Sequence, residues 1–299
     1  MEREAVAQCG GGAGSGAAMT SKREIVRSFV QDALLRGRPR RPTGILVYDA
    51  LQVAPALEWN EAGYLNFGLW HEETTSGVEA SETLLARVAD RAGLGEAARV
   101  LDVGFGTGAQ TLFLAGLTPA EIVGVNQSAS QTETARARVA AAGLGGRAEL
   151  QVGDATALAF PDYSFDAVTC IEAAFHFAPR ERFFREAHRV LAPGGRLVLA
   201  DIVPSSRPHW SHGLFWRFFD RLFFVPAENR VSLETYREQL KRCGFDVRVE
   251  VVTEQVYMPF FEGRKREYDW WAAKAVCELL VRWFRWRSPC EYVIAVATK

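Results

Sequence analysis

Arg99-Val-Leu-Asp-Val-Gly-Phe-Gly-Thr-Gly-Ala-Gln110 is the stretch that decides the fold. Val100, Leu101 and Val103 form a short β-branched and apolar run, as in a parallel strand covered on both faces. Gly104, Gly106 and Gly108 follow at alternate positions. Three glycines this close let the backbone turn sharply and approach a ligand with no Cβ in the way. From Gln110 to Ala115 the pattern becomes helical, so a helix N-terminus faces the same crevice. Strand, glycine-rich turn and helix in this order cradle a nucleotide, and a tight structural loop is the plainer alternative.

Two details separate a dinucleotide site from one for S-adenosylmethionine (SAM). The spacing is Gly-x-Gly-x-Gly, without the third glycine of the dinucleotide pattern at its usual offset. Asp102 also lies inside the strand, just before the first glycine. A carboxylate there repels a pyrophosphate and suits a sulfonium that carries an ammonium group. The stretch resembles motif I of class I SAM-dependent methyltransferases.

The bulk composition is that of an ordinary globular protein: 299 residues, 48% apolar, 24% charged, formal net charge −1. A chain of this length holds one large domain or two small ones. A near-neutral balance gives no basic surface for nucleic acid. Five cysteines, Cys9, Cys170, Cys243, Cys277 and Cys290, are dispersed with no Cys-x-x-Cys pair. That suits a reducing cytoplasm rather than a disulfide framework or structural zinc, and no metal site is expected. No apolar run approaches the length of a membrane span. Residues 1–21 mix charge with Gly-Gly-Gly and Ala-Gly-Ser-Gly, which reads as a disordered tail.

Residues 22–92 read as an N-terminal helical lid region. Apolar residues recur at helical spacing over Lys22–Leu35, and a second helix is expected over Ile45–Glu58. Tyr64-Leu-Asn-Phe-Gly-Leu-Trp70 is an aromatic turn that either folds over the cofactor or packs on the core. A helix from Glu79 to Ala92 ends at Gly93, the usual residue past a helix C-terminus.

Residues 93–299 read as the nucleotide-binding core. Ile122-Val-Gly-Val-Asn126 is a second strand, and the polar residue that ends it, Asn126, stands where an acidic residue usually binds the ribose hydroxyls. Gln127 and Gln131 are placed to share that task. Leu150-Gln-Val-Gly-Asp-Ala155 gives a third strand, Phe165 to Ile171 a fourth and Arg196 to Ile202 a fifth, with helices between them. Helix and strand alternate throughout, which predicts a Rossmann-like, doubly wound α/β sheet of seven strands, its strand ends on one edge. The expected C-terminal elements are a helix over Val231–Cys243, a strand over Val247–Val252, a helix over Tyr268–Phe284 and a last strand over Tyr292–Ala297.

An insertion at about 204–230 changes the texture, with Trp210, Phe215, Trp216 and Phe219 among its rings. Following strand five, it is expected to overhang the cofactor edge as an aromatic substrate cap. Plain packing or dimerisation is the other reading.

The quoted motifs, with Glu172-Ala-Ala-Phe-His-Phe177, Pro193-Gly-Gly195, Asp201-Ile-Val-Pro204 and Val293 to Ala297, resemble together the macrolide-sugar O-methyltransferase group. The resemblance covers roughly residues 49–298. It implies SAM contacts at Asp102, Gly104, Gly106, Gly108, Asn126 and Asp154, with Tyr64 and Ala155 beside them. It also implies that Glu172 and His176 lie near the transferred methyl.

The reaction expected is O-methylation of a hydroxyl on a hydrophobic small-molecule natural product. An alcohol loses its proton at or before attack, and His176, with an ordinary pKa near 6.5, suits the base. Glu172 would orient it or share the charge, one helical turn placing both on one face. The plainer readings are a His176 packed between Phe175 and Phe177 and a Glu172 that binds cofactor or caps a helix. His209 and His212 are further base candidates. The chemical rival is C-methylation of a prenyl diphosphate or aromatic ring, with the cap rings stabilising a carbocation and Arg217, Arg221 and Arg230 holding a diphosphate. A non-catalytic SAM-binding scaffold is the third reading. The expected partner is a hydrophobic small molecule, with a homodimer as a candidate assembly.

Overall fold

A computed structural model describes residues 62–207, 209–223, 225–267 and 271–299, the side chains of 218–223, 272 and 273 excepted. The expected tail and the helices over Lys22–Leu35 and Ile45–Glu58 lie outside the described residues. The elements in chain order are α1 (Gly77–Ala92), β1 (Arg99–Val103), α2 (Ala109–Leu117), β2 (Glu121–Asn126), α3 (Ala129–Ala141), β3 (Ala148–Val152), β4 (Phe165–Ile171) and α4 (Arg180–Val190). They continue as β5 (Leu191–Pro204), α5 (Trp210–Phe223), α6 (Leu233–Arg242), β6 (Asp246–Val251), α7 (Tyr257–Glu267), α8 (Trp271–Arg287) and β7 (Cys290–Thr298).

The seven strands form one sheet in the order β3-β2-β1-β4-β5-β7-β6. β3, β2, β1, β4 and β5 pair in parallel, and β7 runs antiparallel between β5 and β6. This is the doubly wound sheet expected from the alternation of helix and strand. Successive strand residues face opposite sides, so each strand feeds two cores. Val100, Ile122 and Ala167 pack with Leu84, Val88 and Leu114 of α1 and α2. Leu101, Val123 and Val168 pack on the other face with Phe183, Phe184 and Leu240 of α4 and α6. Burial on both faces is why these strands read as continuous apolar runs.

Three elements differ from expectation. Pro193–Gly195 is taken into β5 as an irregularity, the pairing with β4 jumping from Phe165↔Leu191 to Ala167↔Arg196. The helix expected over Tyr268–Phe284 is α8, and α7, which was not expected, precedes it. α7 includes Pro259 as its third residue, a position whose N–H has no intrahelical acceptor in any case, so the proline does not break it. β7 begins two residues earlier than expected, at Cys290. α1 ends as expected, on Gly93 in the left-handed conformation (φ 69°, ψ 36°), with its N–H on Ala89 O and Asp90 O.

The strand order reverses between β1 and β4, and the carboxyl edge at such a reversal is where a doubly wound sheet leaves a crevice. Among the described residues no helix is long and apolar enough to cross a membrane.

Candidate active site

A cavity of about 620 Å³ opens at that edge, within the ~300–1,000 Å³ typical of small-molecule sites. Four strand ends contribute to it: Val103–Gln110 after β1, Val125–Gln131 after β2, Gly153–Thr156 after β3 and Ile171–Ala178 after β4, though not every residue of each lines it. Gly63, Tyr64, Leu65 and Asn66 close one side, and Val225, Pro226, Ala227 and Arg230 another.

The glycine-rich turn is shaped for close approach. Gly104, Gly106 and Gly108 have φ of 76°, 57° and 89°, a region that side chains disfavour. A Cβ on Gly104 would sit 2.3 Å from Ala173 Cβ, and one on Gly108 would sit 2.7 Å from Ala135 Cβ. Gly104 and Gly106 line the cavity and Gly108 does not; Gly108 is instead the residue that lets α2 and α3 approach.

Asp102 also stands outside the cavity lining. Its fully buried carboxylate accepts from Gln110 Nε2 (2.8 Å) and Thr169 Oγ1 (3.2 Å) on Oδ1 and from Thr111 Oγ1 (2.8 Å) on Oδ2. Burial pushes its pKa up to about 6 against those three hydrogen bonds. The residue expected to contact SAM is thus held under the turn by three side-chain donors. The period of two puts Asp102 on the face of Val100, beneath α2, where it fastens the first turn of that helix.

The β2 and β3 ends meet at the same cavity. Asn126 Nδ2 donates to Gln131 Oε1 at 2.8 Å, its Oδ1 accepts from the Gln127 N–H at 3.1 Å, and Ser128 caps α3 through the Gln131 N–H. Asn126, Gln127, Gln131, Asp154 and Ala155 all line the cavity. Asp154 Oδ1 accepts from Thr156 N and Oγ1, both at 2.8 Å. Tyr64 lines the cavity, and its hydroxyl donates to Glu82 at 3.2 Å.

Two buried atoms of this lining, Asn66 Oδ1 and Gln131 Nε2, have no hydrogen-bond partner among the described residues. Buried polar atoms are rarely left so, and here one acceptor and one donor belong to residues that line the cavity. Together with the open turn, this fits a nucleoside-bearing, zwitterionic molecule such as SAM.

Beyond β4, Glu172 and His176 line the same cavity, although no helical turn joins them. Glu172 has a left-handed backbone (φ 51°), and only Ala174–His176 forms a short 3₁₀ turn. The His176 ring lies 4.1 Å from that of Phe175, centroid to centroid, so packing and cavity exposure coexist. Glu172 Oε1 accepts from the Phe67 N–H and the Tyr292 hydroxyl, each at 2.7 Å. Burial pushes the Glu172 carboxyl up to about 8, and those two donors partly offset the rise.

Residues that sequence reasoning did not single out hold this end in place. Arg180, buried, pairs with Asp201 at 2.8 Å and donates to Asn229 O at 2.8 Å. Asn229 Nδ2 donates to Phe175 O (3.0 Å) and Phe177 O (2.5 Å), on either side of His176. Asn66, Asn229 and Tyr292 thus join the site beside Arg230, the one of these that the sequence had offered. Asn66 was legible as a polar residue within an aromatic turn; Tyr292 depends on the direction of β7.

Of the insertion expected at about 204–230, Val225, Pro226, Ala227 and Arg230 line the cavity and the described rings of α5 do not. None of Trp210, Phe215 and Trp216 lines the cavity. Phe215 is fully buried, with ring centroids 5.3 Å from Trp283 and 5.9 Å from Phe284. Trp216 packs beside it and Trp210 is 81% exposed. α5 thus sets Phe215 against α8 rather than in the crevice; the Phe219 side chain lies outside the described residues. His209 and His212 do not line the cavity either, and Ser211 Oγ lies 2.9 Å from His209 Nδ1.

Residues 101–199 match the methyltransferase domain family. Erythromycin 3''-O-methyltransferase of Saccharopolyspora erythraea is 38% identical over 221 residues, 72% of this chain and 70% of that protein. The 27-O-demethylrifamycin SV methyltransferase of Amycolatopsis mediterranei is 36% identical over 199 residues, 67% of this chain and 72% of that protein. The crystal structure of the [4+2]-cyclase SpnF superposes with a TM-score of 0.67 at 28% identity, covering 88% of this chain and 99% of that one. With its glycine-rich turn at the sheet's reversal point and this identity to relatives over most of their length, the chain belongs to the SAM-dependent methyltransferases.

Proposed function

We propose that the protein transfers the methyl group of SAM to a hydroxyl oxygen of a hydrophobic small-molecule natural product. The observation that carries this reading is that Glu172 and His176 line the same cavity as the glycine-rich turn. SAM, when bound, supplies a methyl on a positively charged sulfur, open to in-line attack. Gly104 and Gly106 leave room for it. Asn126, Gln127 and Gln131 would offer amides to ribose hydroxyls, Asp154 and Ala155 would hold the base, and Tyr64 and Asn66 would cover it. Enclosure by these residues excludes water and fixes orientation, the main contributions a protein makes to such a displacement.

His176 takes the acceptor's proton. Glu172, pushed up to about 8 by burial, is largely protonated at neutral pH, which makes it a hydrogen-bonding wall for the acceptor before it is a base. The loop 225–230 and Arg230 line the cavity beyond it. Support for oxygen as the acceptor comes from the two relatives, whose names describe methyl transfer to oxygen. The prenyl C-methylation reading needs cavity-facing rings and a cluster of arginines. Phe215 packs on α8 instead, Trp216 and Arg217 are outside the lining, and Arg230 alone of the three arginines lines the cavity among the described side chains.

The test is a mass-spectrometric screen with SAM carrying a deuterated methyl group. One panel holds macrolide, polyketide and phenolic alcohols; the other holds prenyl diphosphates with and without magnesium. Label in the alcohol panel is expected. Label confined to the prenyl panel, or binding of SAM with transfer to neither, contradicts the proposal.

A further inference from the structure

Glu172 is held by two donors from distant parts of the chain, Phe67 at 105 positions and Tyr292 at 120 positions along the sequence. Its own backbone N–H bonds Ala200 O at 2.8 Å, and at φ 51° it leaves the strand in a conformation that only glycine adopts freely. That turn carries the chain out of β4, and Glu172 lines the cavity.

Tyr292 reaches the same place because β7 is antiparallel. The start of an antiparallel strand lies beside the carboxyl ends of its parallel neighbours, and Tyr292 pairs with Ile202 near the end of β5. The last strand of the chain therefore delivers a side chain to the cofactor edge. The Tyr292 ring is fully buried against Phe67 and Tyr257, with centroids 6.4 and 5.9 Å away. A phenylalanine would fill that space equally well, and burying a hydroxyl without a partner is costly. What the hydroxyl adds is its bond to Glu172.

Phe67 belongs to the segment that covers the cavity. Asn66, its neighbour, carries the unpartnered Oδ1, and Gly63 O accepts from Thr107 Oγ1 at 3.1 Å. Both ends of this segment are thus tied to the site: one to the glycine-rich turn, the other to Glu172.

We infer that Tyr292 is a positioning residue, whose hydroxyl together with the Phe67 N–H fixes the Glu172 carboxyl at the cavity wall and anchors segment 63–67 over the cofactor site. Nearby titratable groups are Asp201, paired with Arg180, the buried Tyr257, Cys290 at the start of β7, and His176 in the cavity lining. Both donors favour the ionised carboxyl. Loss of the tyrosine hydroxyl therefore raises the proton affinity of Glu172, and titration of Glu172 is felt at the Phe67 amide. The inference rests on the proposed function only in giving Glu172 a part in the reaction.

The experiment uses full-length protein with S-adenosylhomocysteine present, ¹³C-labelled at glutamate carboxyls and ¹⁵N-labelled at phenylalanine. The Glu172 resonance is the one lost in Glu172→Gln. In Tyr292→Phe, Glu172 is expected to bind its proton roughly tenfold more tightly than in the unaltered protein. In the unaltered protein, the Phe67 amide is expected to shift with the same midpoint as Glu172, a reading that needs no variant to fold. A Glu172 titration identical in Tyr292→Phe and unaltered protein, or a Phe67 amide indifferent to it, overturns the inference. Neither readout depends on which atom receives the methyl group, so failure here and failure of the proposed reaction are distinguishable.

Discussion

Gln110 donates its side-chain N–H to Asp102 at 2.8 Å, across the whole of the glycine-rich turn. The residue that opens the turn and the second residue of α2 are thereby clamped together, with Thr111 and Thr169 completing the set around one buried carboxylate. The acidic residue of the motif lies beneath the glycine-rich turn, outside the cavity lining.

Asp102→Ala should therefore act on the fold first. It leaves three buried donors without their acceptor, and a loss on the order of 3 kcal/mol is expected. Asp102→Asn retains part of the set and should lose less. Denaturant unfolding measures both, and equal, negligible losses would show that the clamp does not matter.

The outer two glycines of the turn's C-terminal half should separate by readout. Gly108→Ala meets Ala135 Cβ at 2.7 Å and Ala135 Cα at 2.9 Å in addition to its positive φ, so a stability loss of about 1–3 kcal/mol or more is expected. Gly106→Ala meets only the tip of Leu65, at 3.0 Å, and its effect should fall more on SAM affinity. Calorimetric titration with SAM and thermal unfolding, applied to both variants, check the contrast.

Relocation of the aromatic rings is testable in the same way. Phe215→Ala should destabilise by about 3–5 kcal/mol, as for a large core side chain. Trp210→Ala, at a surface position, should change stability by no more than about 0.5 kcal/mol. If α5 were instead the wall of the acceptor pocket, both changes would alter acceptor KM at unchanged stability.

Stability should fall as pH rises through the range set by Glu172. Its carboxyl goes from the ordinary 4.5 to about 8 on folding, so the folded state holds a proton that the unfolded state releases. The contribution is fully present below about 4.5 and is lost as pH approaches 8. Glu172→Gln cannot lose that proton, and its thermal midpoint should decline less than that of the unaltered protein between pH 5 and 8. Parallel declines would remove the buried acid from this account.

The core of the fold was legible because its signals are local. Val100, Leu101 and Val103 announce a buried strand, and the positive φ of Gly104, Gly106 and Gly108 follows from the turn that a strand and helix need between them. Asn126, Gln131 and Asp154 lie where the alternation of helix and strand placed them. The cap was not legible, because an aromatic helix reads alike whether its rings meet a ligand or another helix. Trp283 and Phe284 on α8, far along the chain, decide that. Tyr292 is the same case in the sheet. Its place beside Glu172 follows from the antiparallel entry of β7, which alternation within one strand does not reveal. Asp102 was half legible: the period of two already set it on the face of Val100.

The most direct test of the proposed chemistry locates the transferred carbon. With ¹³C-methyl SAM and an acceptor found in the alcohol panel, NMR of the product shows whether the labelled carbon is bonded to oxygen or to carbon. An oxygen-bound methyl is expected, with turnover reduced by roughly 10²–10⁴ in His176→Ala and SAM affinity nearly unchanged. A labelled methyl on carbon, or full turnover without His176, would contradict the account.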